Sequence, residues 1–246
     1  MNLERRLAYV RRLAGTVVFS VTMLPYLVAC GLRDPPAGLR AHALVFQRMG
    51  GGRTELSTPP MRAGAGPTVT VVGVGRGDIG AFQMPTSDPG GLQVRQLGVT
   101  HSYTNWPKSG TALYVAEDSA GGSQRAIRVS TPANDEVTLA AVVVDGRRIV
   151  DVAWNEVLAG SPLTSGKVTT TGPATLVAFW WGDADVLYDK KAVPEGGFQV
   201  LDAVLESGAL VQCAVAMKHV AAAGTYDVTW RARPVQGAQM WIVAVE

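Results

Sequence analysis

ATLVAFWW (residues 174–181) carries a single polar side chain, Thr175, and its reading decides the fold. The run is rich in β-branched and aromatic residues and stops at Gly182-Asp183, which marks a strand. Successive strand side chains point to opposite faces, so Trp180 and Trp181 cannot enter the same core. Both faces of this strand therefore need cover. EVTLAAVVV (136–144) and AQMWIVAV (238–245) are apolar on both sides in the same way, and the three runs are expected to be central strands. Long loops or another subunit are expected to cover their second faces.

Working outward, nine further short runs between Thr68 and Glu246 share this composition. They are TVTVVGVG (68–75), LQVRQLG (92–98), TALYVAE (111–117), RAIRVS (125–130), IVDVAW (149–154), KVTTT (167–171), FQVLDAVL (198–205), ALVQCAVAMK (209–218) and TYDVTWR (225–231). Gly, Pro, Asp and Asn clusters separate them, among them Asp88-Pro89-Gly90-Gly91, Asp145-Gly146 and Glu195-Gly196-Gly197. The pattern predicts an all-β chain: an antiparallel, jelly-roll-like β-sandwich of about 12 strands, forming one domain over residues 67–246. Alternation assigns faces. Tyr226, Val228 and Trp230 share one side of their strand, and Val211, Cys213, Val215 and Met217 share one side of theirs, which makes Cys213 a buried small hydrophobe.

The N-terminus has a different character. Arg5, Arg6, Arg11 and Arg12 outweigh Glu4, and residues 13–29 carry no charge, a run shorter than the ~20 residues that span a membrane comfortably. Leu27-Val28-Ala29-Cys30 closes that run and resembles the lipobox at the end of a bacterial lipoprotein signal peptide. The resemblance covers the first 30 residues. It implies a signal peptide over residues 1–29 with a helical apolar segment, cleavage between Ala29 and Cys30, and a lipid on the Cys30 thiol. The mature chain is then anchored to a membrane of the bacterial cell envelope, facing the periplasm or exterior. Residues 30–66, rich in Gly, Pro, Ala and Arg, are read as the lipidated N-terminus and a flexible tether, with a helical turn or two at most over Ala41–Arg48. A secreted protein without a lipid anchor is the alternative.

Removing residues 1–29 takes away four arginines and one glutamate and brings the formal charge from +2 to −1, so the whole-chain pI of 8.6 partly reflects the signal. No Lys/Arg cluster remains to mark a nucleic-acid surface, and no nucleic-acid partner is expected. With Cys30 lipidated, Cys213 has no disulfide partner, and stability must come from the core.

Catalytic signatures are sparse. His42, His101 and His219 fall in none of the spacings of zinc sites, and no Gly-x-Ser-x-Gly elbow is present. The alternate glycines of Val71-Val72-Gly73-Val74-Gly75-Arg76-Gly77-Asp78 lack the following helix that a phosphate loop requires. They read as a strand-end turn, as does the Arg76-Gly77-Asp78 tripeptide. Asp183, Asp185 and Asp189 are a weak candidate set for a structural calcium ion, the single cofactor considered, because they offer oxygen ligands without EF-hand spacing. No catalytic residue is assigned.

Aromatic residues carry the binding hypothesis. Tyr103 and Trp106 lie in a polar loop, Trp154 is followed by Asn155, and one of the two adjacent tryptophans, taken as Trp181, needs a home outside the core. Flat rings beside Asn155 and Asp183 are what a sugar cleft uses, stacking on C–H faces and hydrogen-bonding hydroxyls. IVDVAWNEVLAGSPLTSG (149–166) also resembles, over about a dozen residues, the Trp-Asn-Gly-Val pattern of β-sandwich modules in bacterial surface proteins, with Glu156 replacing the glycine. The expectation is a lipid-anchored binding or structural module with a polysaccharide or protein partner. A carbohydrate-active hydrolase on the same scaffold is the alternative, and it needs two carboxylates ~5–9.5 Å apart, for example Glu117 and Glu156.

Overall fold

The computed structural model describes residues 35–122, 124–160, 162–184 and 189–246. The expected signal peptide over residues 1–29, with Ala29, and also Cys30 and Asp185 lie outside the described residues. Residues 35–246 form one compact unit that is almost entirely antiparallel β. Its chain path runs twice through the same plan. The first half contains β1 (Leu39–Gln47), β2 (Glu55–Ser57), β3 (Met61–Arg62), β4 (Thr68–Arg76), β5 (Thr86–Asp88), β6 (Arg95–Ser102), β7 (Gly110–Asp118), β8 (Gln124–Ser130) and β9 (Val137–Asp145). The second contains β10 (Ile149–Val157), β11 (Leu163–Thr164), β12 (Val168–Thr170), β13 (Ala174–Gly182), β14 (Lys191–Pro194), β15 (Gln199–Val204), β16 (Cys213–Val220), β17 (Gly224–Tyr226), β18 (Thr229–Arg233) and β19 (Ala238–Val245).

Each half builds a five-stranded sheet, ordered β1-β9-β4-β7-β6 in the first and β10-β19-β13-β16-β15 in the second. These orders are the same when strands are matched by their place in each half. Short strands pair over one face of each large sheet: β8 with β2, β3 and β5 in the first half, β18 with β11 and β14, and β17 with β12, in the second. The connectivity is jelly-roll-like in both.

Two local features make the repeat specific. A β-bulge interrupts the first strand between Leu39 and Ala41, and another interrupts β10 between Ile149 and Asp151. Thr58 donates its N–H to Ile127 O and accepts from Ile127 N on its hydroxyl; Ser165 does the same with Val228. In each case the hydroxyl satisfies an amide that a broken short strand would otherwise leave unpaired in the interior.

The halves pack with their large sheets face to face. Val71, Leu113, Val142 and Val144 from one sheet meet Val177, Phe179, Trp181, Val215 and Trp241 from the other in a shared core. The opposite faces of the two sheets close separate cores under the short strands, around Leu56, Tyr114 and Leu139 in the first half and Trp180, Trp230 and Met240 in the second. This layering explains the two-sided apolar runs: one face is covered by the other half and the other by the short strands. Trp180 and Trp181 do point to opposite faces, and both are buried.

Aligning the two bulges makes Gly73 equivalent to Phe179, Gly75 to Trp181 and Ala140 to Trp241. The shared core is thus a fit of small residues in one half against large ones in the other. A Cβ on Gly73 would lie 2.8 Å from Phe179 Cε1, and one on Gly75 would lie 2.7 Å from Trp181 Cδ1 and 2.8 Å from Thr138 Oγ1. Each aromatic buries roughly 150–250 Å², worth about 4–6 kcal/mol of gross transfer energy, and the glycines make the room.

Three expectations need correction. Residues 39–62 are not a tether: β1 pairs along its length with β9, and β2 and β3 pair with β8. Within the stretch Ala41–Arg48, residues 41–47 are strand rather than helical turn. The strand count is 19 among the described residues rather than about 12: the expected antiparallel sandwich forms as two repeated halves, the 12 expected runs overlap strands, with TYDVTWR divided between β17 and β18, and the added strands are short or lie at edges.

Gly75→Val is expected to destabilise the protein by about 3 kcal/mol through overpacking at the shared core. Gly172→Ala, a position with nothing within 4 Å, is the matched control and should leave stability unchanged. Urea denaturation of the two variants measures both effects.

Candidate functional site

Like ends of the two large sheets lie together, and a cavity of about 210 Å³ opens where the equivalent loops of the two halves converge. Gly77 and Asp183 occupy equivalent positions after β4 and β13, and both line it; Ser109 and Val211, before β7 and β16, form a second such pair. Tyr103 and Trp106 come from the β6–β7 loop. Met49, Asn134, Asp135, Glu136, Gly182 and Leu210 complete the wall.

The β6–β7 loop is braced from both sides. Tyr103 N–H donates to Ser109 O at 2.9 Å, and Ser109 N–H donates to Trp106 O at 2.8 Å. The Tyr103 hydroxyl reaches across to Trp181 O at 3.1 Å, and the N–H and hydroxyl of Thr104 grip both carboxylate oxygens of Glu156, each at 2.8 Å. A loop fixed at these points holds Trp106 outward, 52% exposed, as a rigid platform beside the cavity. Met49, 64% exposed, and Leu210 extend the apolar rim.

The cavity holds three carboxylates in different settings. Asp135 is paired with Arg76, whose Nε donates at 2.6 Å; Arg76 is only 1% exposed and also donates to Ala81 O and Ser130 O. Glu136 Oε1 accepts from the backbone N–H groups of Leu210 at 2.6 Å and Val211 at 2.9 Å, tying the first half to the second. Asp183 lies beside the backbone of Gly237 and the Asn105 side chain. Burial pushes the Asp183 carboxyl above its ordinary range, and Glu156 adds to the rise while these polar neighbours oppose it. Asp135 is raised by burial against the opposing pull of Arg76. Tyr103 is raised well above a free phenol, first by burial and then by the charges of Asp183, Cys213 and Glu156.

The residues singled out from sequence divide into two groups. Tyr103, Trp106 and Asp183 meet at this cavity. Trp181 does not, because it is fully buried in the shared core with its indole N–H bonded to Thr138 Oγ1 at 3.0 Å, leaving no face for a ligand. Trp154 stacks on His101 with ring centroids 3.8 Å apart, and Trp241 meets His101 edge-on, so both Trp154 and His101 are committed to an aromatic cluster. Asn155 donates to Thr164 O at 2.7 Å, a link between neighbouring strands. Of the calcium candidates, Asp189 accepts from Ser207 N, and no group of three metal-ligating side chains forms among the described residues. Glu117 accepts from Arg95 and Ile149 while Glu156 holds Thr104, so the two carboxylates serve separate contacts. Cys213 is a buried free thiol, raised well above its ordinary value by burial. Arg76 of the Arg-Gly-Asp tripeptide is interior, and Asp78 caps a 3-10 turn over Ile79–Ala81.

Asp135 and Glu136 look like ordinary turn residues in the sequence. Only the pairing of β9 against β4 shows that they close the end of the shared core. Comparisons with protein-family models, with curated protein sequences and with solved structures found no match.

Because the folded state raises the Asp183 pKa, it binds a proton more readily than the unfolded chain does. The contribution of this carboxyl to stability is greatest below the ordinary carboxylate pKa of ~3.9 and declines as pH rises through the higher folded value. Asp183→Asn is therefore expected to raise the melting temperature at pH 7 and to leave it unchanged at pH 3. Thermal scans at the two pH values give the comparison.

Proposed function

We propose that this protein is a binding module held at the bacterial envelope by a lipid on Cys30, and that it takes a sugar residue in the cavity between its two halves. The observation that carries the reading is Trp106, an exposed indole braced beside a cavity that also presents carboxylate, amide and hydroxyl groups. A planar ring next to such groups supplies stacking on a sugar's apolar face and hydrogen bonds to its hydroxyls. At about 210 Å³ the cavity is below the ~300–1,000 Å³ typical of drug-sized ligands, which favours one ring or a chain end over a long segment.

Binding is preferred to hydrolysis on the state of the carboxylates. A two-carboxylate mechanism needs one acid and one base or nucleophile free to reach the scissile bond. Asp135 is engaged by Arg76, and Glu136 is engaged by two backbone amides. Asp183 is left without a carboxylate partner of that kind.

A glycan array probed with the full chain should show binding to a defined set of saccharides, and Trp106→Ala should weaken it by about tenfold, the value of a lost stacking contact. Absence of binding to every saccharide would remove the sugar reading. The anchor is tested separately: Cys30→Ala should abolish metabolic labelling with palmitate, and labelling that persists would refute the lipid assignment.

A further inference from the structure

The charge of the cavity narrows the ligand. Among the described residues that line it there is no lysine, arginine or histidine, whereas Asp135, Glu136 and Asp183 all line it. Arg76 neutralises Asp135 from behind. Glu136 accepts from two neutral backbone N–H groups, and among the described residues no salt bridge pairs Glu136 or Asp183 with a cation. The same wall carries apolar and aromatic side chains: Trp106, Met49 and Leu210. A buried or half-buried negative charge without a counter-ion is costly, and a ligand that supplies the cation recovers that cost on binding. Metal ions suit the arrangement poorly, because the described carboxylates do not converge as a set of three ligands. A larger cation with an apolar face matches both kinds of lining group, since an indole face attracts cationic groups and the C–H bonds next to them.

We propose that the cavity selects an amino sugar: a pyranose bearing a protonated primary amine, with the amine directed to Asp183 and the ring stacked on Trp106. Asn105 lies beside Asp183, and Asn134 adds a polar side chain to the lining. The assignment rests on the sugar-binding reading above and specifies the charge of the sugar.

Calorimetric titration of the full chain in detergent tests it with four probes: a β-1,4-linked glucosamine trimer, its N-acetylated counterpart, a glucose oligomer of equal length, and cadaverine as an amine without a ring. The glucosamine trimer is expected to bind about tenfold more tightly than the acetylated or glucose forms, the scale of one charge-assisted hydrogen bond. Asp183→Asn should erase that preference while the variant retains a cooperative melt and residual sugar binding. Equal binding of the amino and neutral forms, or a preference that survives Asp183→Asn, would overturn the charge assignment and leave the sugar reading intact. Cadaverine binding as tightly as the trimer, with no binding of the neutral oligomers, would overturn the sugar reading itself. Absence of binding by all four would overturn both.

Discussion

Everything in this fold depends on covering two large sheets that are apolar on both faces. A β-sheet with one wet face closes a core with one partner layer, but strands such as ATLVAFWW require two. The chain meets this by making the same jelly-roll-like half twice and placing the large sheets against each other, so the short strands cover the outer faces and each half covers the other. The shared core holds Phe179, Trp181 and Trp241 from the second half against Gly73, Gly75 and Ala140 from the first. Neither half could expose that face to water without leaving an apolar patch of several hundred Å².

How much of this was legible follows from what each element shows in one dimension. Trp180 beside Trp181 reveals two buried faces, because strand geometry leaves no other solution. The central strands are readable for the same reason, being long, uninterrupted and apolar. By contrast β1, read as tether, alternates half-exposed and polar residues such as Arg40 and His42 at a sheet edge, and β2 and β3 have two or three residues each. No local periodicity distinguishes such pieces from a polar linker, since they become strands only by pairing with β8 and β9. The duplication is hidden for a related reason: the halves share geometry, with bulges and hydroxyl bridges at matched places, while their core side chains have been exchanged small for large. Thr58 and Ser165 are equivalent in space, yet nothing in their neighbouring residues announces it.

The candidate site shows the same division. Tyr103, Trp106 and Asp183 are visible as aromatic and acidic loop residues, and the fold brings them together. The choice of Trp181 fails on a physical point: of two adjacent tryptophans, sequence shows that they diverge but cannot show that both directions end in a core. Asp135 and Glu136 were invisible as site residues because their roles come from contacts distant in sequence, Arg76 at the end of β4 and the amides of Leu210 and Val211 in the second half.

The repeat of geometry without repeat of side chains also explains why a cavity at this position can be specialised. In a symmetric pair of identical halves, residues near the axis must occur twice, so a carboxylate facing the cavity would always face its own copy and repel it. Joining the halves in one chain lifts that restriction. The position after β4 is Gly77, while its equivalent after β13 is Asp183; one step earlier, Arg76 in the first half matches Gly182 in the second. The first half thus keeps the buried ion pair that fixes the cavity floor, and the second supplies the carboxylate that faces its interior. The small-for-large exchange in the shared core enforces this pairing, since two glycine-bearing halves would leave the interface empty and two tryptophan-bearing halves would not fit.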